Sequence, residues 1–230
     1  MGFGPSTPVY SAGESMTVQR ARIIVTTSHR PSQRARSFAK ELASVLPYAI
    51  KLNRGKMTLQ DLYYEAYAYG AERVIVIGVK KGNPGVLRAY EPGEPPEEEL
   101  HLVSTITLAG VRLRRETPGS QRIFQTRRLA LDASRVHSEE ASRVVDTLAY
   151  SMLAKILVNP DEDTLLNYDV VAVAEEQPKM LEVTFICTHT RRVCGPTLRI
   201  VAATDLRSGT HIHLGTREVV PYKHRGGGPG

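Results

Sequence analysis

The stretch Arg22–Gly55, RIIVTTSHRPSQRARSFAKELASVLPYAIKLNRG, decides the fold class. Ile23, Ile24, Val25, Thr26 and Thr27 form a β-branched run suited to a strand covered on both faces, and Ser28-His29-Arg30-Pro31 stops it with loop chemistry. Ser32 stands where a helix N-cap is needed, since its hydroxyl can accept an orphan backbone N–H of the first turn. Ala35, Phe38, Ala39, Leu42, Val45 and Leu46 then recur at helical spacing on one face, with Arg36, Lys40 and Ser44 on another. The result is an amphipathic helix with a basic outer side. Pro47 ends it, Ile50 and Leu52 predict a short strand, and Asn53-Arg54-Gly55-Lys56 predicts a turn in which Gly55 takes positive φ.

Downstream, Thr58 with Asp61 predicts a capping box for a second helix with Leu59, Leu62, Tyr63 and Ala66 on its apolar side, closed by Gly70. Arg73–Val79 is a third buried strand, so the order β-α-β-α-β points to an α/β sheet with helical crossovers. A turn at Gly82–Gly85 leads to a strand at Val86–Tyr90. The acidic, Pro-rich stretch 91–99, EPGEPPEEE, has nothing to bury and is expected to be a connector between two halves, the alternative being a decorated surface loop inside one domain. Beyond it, His101–Arg115 alternates as one long strand or two with a bend, Glu116–Gln121 reads as a loop and Arg122–Leu131 as a further strand. Ser138 caps a long helix with Ala141, Val144, Val145, Leu148, Met152 and Ile156 inside, ended by Asn159-Pro160. Four strands follow, at Tyr168–Ala174, Leu181–His189, Thr197–Thr204 and His211–Leu214. Residues 1–19 and 216–230 lack periodicity and are expected to be a flexible arm and a flexible tail.

The pattern Thr27-Ser28-x-Arg30-Pro31-Ser32-x-Arg34-x-Arg36-x-Phe38-x-Lys40-Glu41-Leu42, with Pro47 and Arg54-Gly55, resembles the opening motif of the Brix-domain family of ribosome-biogenesis proteins. The turn Gly82-Asn83-Pro84-Gly85 and Leu87 agree with the same pattern. The match is sharp over residues 22–87 and looser afterwards. The resemblance implies one Brix-like α/β domain over 20–215 with mixed sheets, made of two related halves at 20–92 and 100–215, the first resembling an anticodon-binding domain. No close sequence repeat links the halves, although their elements come in a similar order. The function implied is non-catalytic binding of precursor rRNA during rRNA processing and ribosomal-subunit assembly, with other assembly proteins as companions. A chain without long lysine-rich extensions resembles the archaeal members, which implies a cytoplasmic setting.

Composition agrees. The 230 residues are 41% hydrophobic, enough for a full core, and carry a net charge of +6 with a pI near 9.4. Residues 1–60 hold nine Lys or Arg against two acids. So concentrated an excess favours an anionic polymer, because neutralising several phosphates at once releases condensed counterions. Arginine outnumbers lysine by 22 to 8, and its planar fork suits phosphate. No apolar run is long enough to span a membrane, so no membrane partner is expected. The two cysteines, Cys187 and Cys194, fit a reducing compartment.

The candidate RNA-binding residues form three groups. Arg30, Arg34, Arg36, Lys40, Arg54 and Lys56 hang on one compact unit; Arg30 and Arg54 also match family positions. Arg112 and Arg114 belong to a second set with Arg115, Arg122, Arg127 and Arg128. Arg191 and Arg192 precede Gly195-Pro196, where the family often has a Gly-Pro pair before an apolar strand; here Cys194 precedes the glycine and no arginine follows the proline. Hydrated basic surfaces would leave the same three patterns. Tyr64 and Tyr67 offer a partner surface, while Tyr63 belongs to the core stripe. Cys187, His189, Cys194, His211 and His213 are spaced poorly for zinc, and Cys187 is expected to be a small core residue. No phosphate-binding glycine loop or nucleophile elbow occurs, so no catalytic residue, metal, cofactor or small-molecule substrate is expected. The alternatives are a protein-interaction module whose basic face meets an acidic protein and, further off, an enzyme using Cys187 and His189.

Overall fold

A computed structural model describes residues 20–215 and the backbone of 220–221. The opening stretch folds as read: β1 (Ile23–Thr27) is buried throughout, α1 (Gln33–Val45) starts at Ser32, whose side chain accepts the Ala35 N–H at 3.1 Å, and β2 (Ala49–Lys51) pairs parallel to β1. Next come α2 (Leu59–Tyr69), with the Thr58–Asp61 capping box and left-handed Gly70, and β3 (Arg73–Lys80), parallel on the other side of β1. The antiparallel strands β4 (Asn83–Pro92) and β5 (Leu100–Arg112) complete the first unit.

The second unit repeats this plan. Its β6 (Leu129–Arg135) lies parallel between β7 (Lys155–Leu157) and β8 (Val170–Gln177), with α3 (Glu139–Met152) and α4 (Glu162–Leu166) as crossovers, and β9 (Met180–Cys187) and β10 (Arg192–Asp205) run antiparallel beyond β8. Antiparallel pairing of β5 with β10 fuses the units into one mixed sheet, ordered β2-β1-β3-β4-β5-β10-β9-β8-β6-β7. The short strands β11 (Thr210–His213) and β12 (Val220–Pro221) extend from β10. The expectation of two related α/β halves is met in the pairing order itself.

Several expectations change. The acidic stretch 91–99 lies inside the first unit, as the surface-loop alternative has it: Glu91 and Pro92 end β4, and 93–99 is the turn to β5, closed by Gly93 N–H to Glu99 O at 2.8 Å and folded against α2, where Tyr64 Oη donates to Glu98 at 2.7 Å. The chain passes between units through 113–128 instead, because β5 is needed to pair with both β4 and β10. Within that passage Arg122–Arg128 is a strap and not a strand: Thr126 Oγ1 donates to Ser44 O, and its own carbonyl accepts the Tyr48 N–H, both at 2.8 Å. Helix α3 stops at Met152 because Leu153 turns left-handed at φ 52° and its N–H closes onto the Ala149 and Tyr150 carbonyls, which sends Ile156 into β7. The strand β9 ends at Cys187, leaving His189 in the turn. The arm 1–19 lies outside the described residues, as does the tail apart from Val220–Pro221, which pairs with β11.

Helices α1 and α3 lie on the same face of the sheet and share one core, in which Ile23, Phe38 and Leu42 join Leu131, Leu148, Phe185 and Leu198. Each helix also reaches the other unit. A Cβ at Gly195 would stand 2.7 Å from Val45 Cγ1 and 2.8 Å from Phe185 Cβ, so only glycine lets β10 pass beneath α1. From α3, the Tyr150 ring receives the guanidinium of Arg73 at 4.2 Å and of Arg207 at 3.4 Å, and Ser151 Oγ meets Ser104 Oγ of β5 at 2.6 Å. On the opposite face α2 covers a smaller cluster around Ile24, Val74 and Val76.

Candidate nucleic-acid interface

In a parallel sheet the carboxyl ends of neighbouring strands open onto one edge, and here α1 and α2 begin there too. The loops at this edge are tied together. Ser28 N–H donates to Ile77 O at 2.8 Å, Leu52 N–H to Val25 O at 2.9 Å, and His29 Nδ1 lies 3.2 Å from Gly55 O. Arg30, Lys56, Lys80 and Lys81 therefore project, exposed, from one corner. Arg36 and Lys40, one turn apart, continue the charge along the outer side of α1. Among the described residues none of these six enters an ion pair. No acid occupies the first turn of α1, so its dipole adds positive potential at the same corner. Arg30 is held at φ 52°, a left-handed conformation that an L residue adopts at a cost.

Several other candidate residues are engaged within the fold. Arg34 donates through Nη2 to Glu116 at 2.9 Å and to Val111 O at 2.8 Å, while Glu41 of the same helix accepts the Arg114 N–H at 2.6 Å. This clamp fastens the strap to α1. The hydrogen bond from Arg34 holds the Glu116 carboxyl below the usual range, and the same bond raises Arg34. Arg54 is 8% exposed and donates Nε to Met57 O at 2.7 Å, shaping the turn before the Thr58 cap; burial lowers its pKa, and it has no carboxylate partner among the described residues. Arg112 and Arg199 share Glu182, at 3.5 and 3.0 Å. Arg114 is half-buried, Arg191 is engaged by Glu162, and Arg192 is exposed as the first residue of β10, paired with Cys187. The corner thus gathers Arg30, Arg36, Lys40 and Lys56 and adds Lys80 and Lys81, which sequence proximity does not reveal. The available signal was the parallel pairing of β3 with β1.

The matching corner of the second unit has the opposite sign. Ser138 caps α3 as Ser32 caps α1, but Glu139 and Glu140 follow it, and Glu176 accepts the His137 and Ser138 N–H groups at 2.7 and 2.9 Å. Burial opposes ionisation of Glu176, yet the bonds from Ser138 and His137 hold its carboxyl below the usual range. Asp161 caps α4, followed by Glu162 and Asp163. Residues 20–112 carry fourteen Lys or Arg against nine acids, 113–128 five against one, and 129–205 seven against twelve.

The cysteines are internal. Cys187 is 5% and Cys194 1% exposed, both in the main core, so Cys187 is the small core residue expected. The hydrogen bond between the thiols lowers Cys187 to about 7 and pushes Cys194 up. His189 stands in the exposed turn, beyond the end of the strand that carries Cys187. Among the described residues no group of three or more His, Cys, Asp or Glu side chains is arranged to hold a metal. Tyr63 is buried, and Tyr64 and Tyr67 are exposed on the far side of α2.

These features define a duplicated α/β domain with one basic and one acidic unit. No family model matches the chain. Curated relatives do. A probable Brix domain-containing ribosomal biogenesis protein from Pyrococcus horikoshii is 35% identical over 177 residues, 71% of this chain and 75% of that protein. One of the same description from Aeropyrum pernix is 45% identical over 92 residues, a match spanning 40% of this chain and half of the relative's length. Among solved structures, a probable ribosomal biogenesis protein from Aeropyrum pernix superposes with a TM-score of 0.65 at 31% identity, covering 78% of this chain and 95% of that one. The archaeal Imp4-like protein Mil shares the fold at a TM-score of 0.56 and 18% identity, covering 80% of this chain and 99% of its own. The chain belongs to the Brix-domain family.

Proposed function

We propose that the protein binds structured precursor rRNA through the basic corner of its first unit and acts in ribosome assembly by occupancy, with no bond made or broken. Its relatives are named as ribosomal biogenesis proteins, which supports the assembly role. The observation that carries the RNA reading is the convergence of Arg30, Lys56, Lys80 and Lys81 at one strand edge, continued by Arg36 and Lys40 on α1 and left without carboxylate partners among the described residues. RNA helices are recognised largely through phosphates, 2′-hydroxyls and shape, and a rigid row of unpaired cations suits that target. The left-handed Arg30 fits a group held in place for contact with a ligand.

Salt-dependent binding to rRNA fragments tests this. Joint replacement Arg30→Glu, Lys56→Glu and Lys81→Glu should weaken binding at least about tenfold at moderate salt and flatten the log–log salt slope by about two. An unchanged slope would remove the corner from the interface.

A further inference from the structure

The repeat shows what ought to cover the face of the sheet opposite α1 and α3. In the first unit that face is closed by α2, eleven residues long, with Leu62 and Ala66 on Ile24, Val74 and Val76. In the second unit α4 has five residues and buries none of them. The strands corresponding to β3 and β4 are left under a concavity of about 400 Å³, with Val171, Val173 and Ile186 as its floor and Leu165 and Leu166 as one wall. Leu166 is 46% exposed, and Val158, just before α4, 65%. Among the described residues a single buried side-chain polar atom lacks a hydrogen-bond partner, and it is Thr188 Oγ1, whose residue lines this concavity. The rim is acidic: Asp132 and Glu162 line it, Asp161 and Asp163 adjoin, and its one lining cation, Arg191, is already engaged by Glu162.

We propose that this concavity is the docking site for an amphipathic helix of a partner protein, its apolar stripe doing for the second unit what α2 does for the first, its lysines or arginines meeting the acidic rim. Two independent observations agree: apolar surface that the first unit covers with a helix, and carboxylates along the rim that select the sign of the flanks. Helix-in-groove recognition uses anchors at i, i+3, i+4 and i+7, and one helical face fits the strip between α4 and the strands β8 and β9. Complementary flanks would give the pairing its specificity and rate of encounter. The site lies in the unit opposite to the basic corner, so the RNA reading and this one can fail separately.

The test uses the full chain and fluorescently labelled synthetic helices of about eighteen residues, long enough for stable helicity. One carries leucines at the anchor spacing with lysine flanks, a second has glutamate flanks, and a third has serines for the leucines. Saturable binding of the first alone is expected, weakened at least tenfold by Leu166→Asp and by Glu162→Lys. Both positions are exposed, and unchanged melting temperatures would show that the fold is intact. Equal binding of the lysine and glutamate helices, no binding, or binding indifferent to both substitutions overturns the proposal. Dimerisation that Leu166→Asp abolishes would assign the groove to a second copy of the chain, and exposure of the site on deleting residues 222–230 would assign it to the chain's own tail; either result overturns the proposal too.

Discussion

The first and second units share strand order, crossovers and a serine at the start of the first helix, yet they diverge in charge and in the cover over one face. Ser32 and Ser138 each satisfy an orphan N–H of a helix, a requirement of any helix, and both units keep it. No such requirement governs the exposed ends of the parallel strands. There the first unit carries Arg30, Lys56 and Lys81 and the second supplies its own carboxylate, Glu176, to the helix start. The two units keep in common what the fold needs and differ where the surface is free to vary.

The largest effect tests whether the units are energetically one body. Phe38→Ala on α1 should cost about 3–5 kcal/mol, and Phe185→Ala on β9 about as much, because both rings are fully buried in the shared core. Denaturant unfolding should stay a single transition in each variant; two transitions would separate the units and undo the picture of a common core.

The next separates the corners. Arg135→Glu, Lys179→Glu and Arg192→Glu together remove as much charge as the triple reversal of the first unit, yet rRNA affinity should stay within about twofold of wild type at moderate salt, against a loss of at least tenfold, or about 1.4 kcal/mol, at the basic corner. Equal losses would mean that net charge, and not placement, governs binding.

A third concerns the clamp. Arg34→Ala should lower stability by about 1 kcal/mol, given the partial exposure of the pair, with rRNA affinity nearly unchanged. Glu116 titrates below its ordinary range in the folded chain, so its contribution is complete above the unfolded carboxylate range and disappears as pH falls through the folded pKa. Thermal melts of wild type and Glu116→Gln should therefore converge in acid and separate near neutrality.

The smallest effect has opposite signs in two assays. Arg30→Gly relieves a left-handed backbone and should raise stability by about 1 kcal/mol or less while weakening rRNA binding. A variant less stable than wild type would mean that the Arg30 side chain contributes more to the fold than its backbone costs.

Legibility in the sequence followed the same division. The first unit was readable through α2 and β3 because periodicity, caps and β-branched runs coincide from Ile23 to Lys80. In the second, β7 has three residues and α4 five, too short for any period to register, and α3 ends on a left-handed Leu153 where sequence offers no glycine. Among the candidate residues, Arg30, Arg36, Lys40 and Lys56 were legible because neighbours in the chain stay neighbours in the loop and helix. The partner of Arg34 is illegible for the opposite reason: Glu116 lies 82 residues away, and only the folded strap brings it to the guanidinium. Lys80 and Lys81 are illegible because parallel pairing, not proximity in sequence, delivers them to the corner.

The sheet's main path finishes at β2 and β7, each three residues long and each containing a lysine, Lys51 or Lys155. A broad sheet with long bare margins would invite stray strands to add on, and short margins bearing charge discourage it. Brevity at those two ends thus guards a wide sheet against uncontrolled growth through the unpaired backbone of other chains.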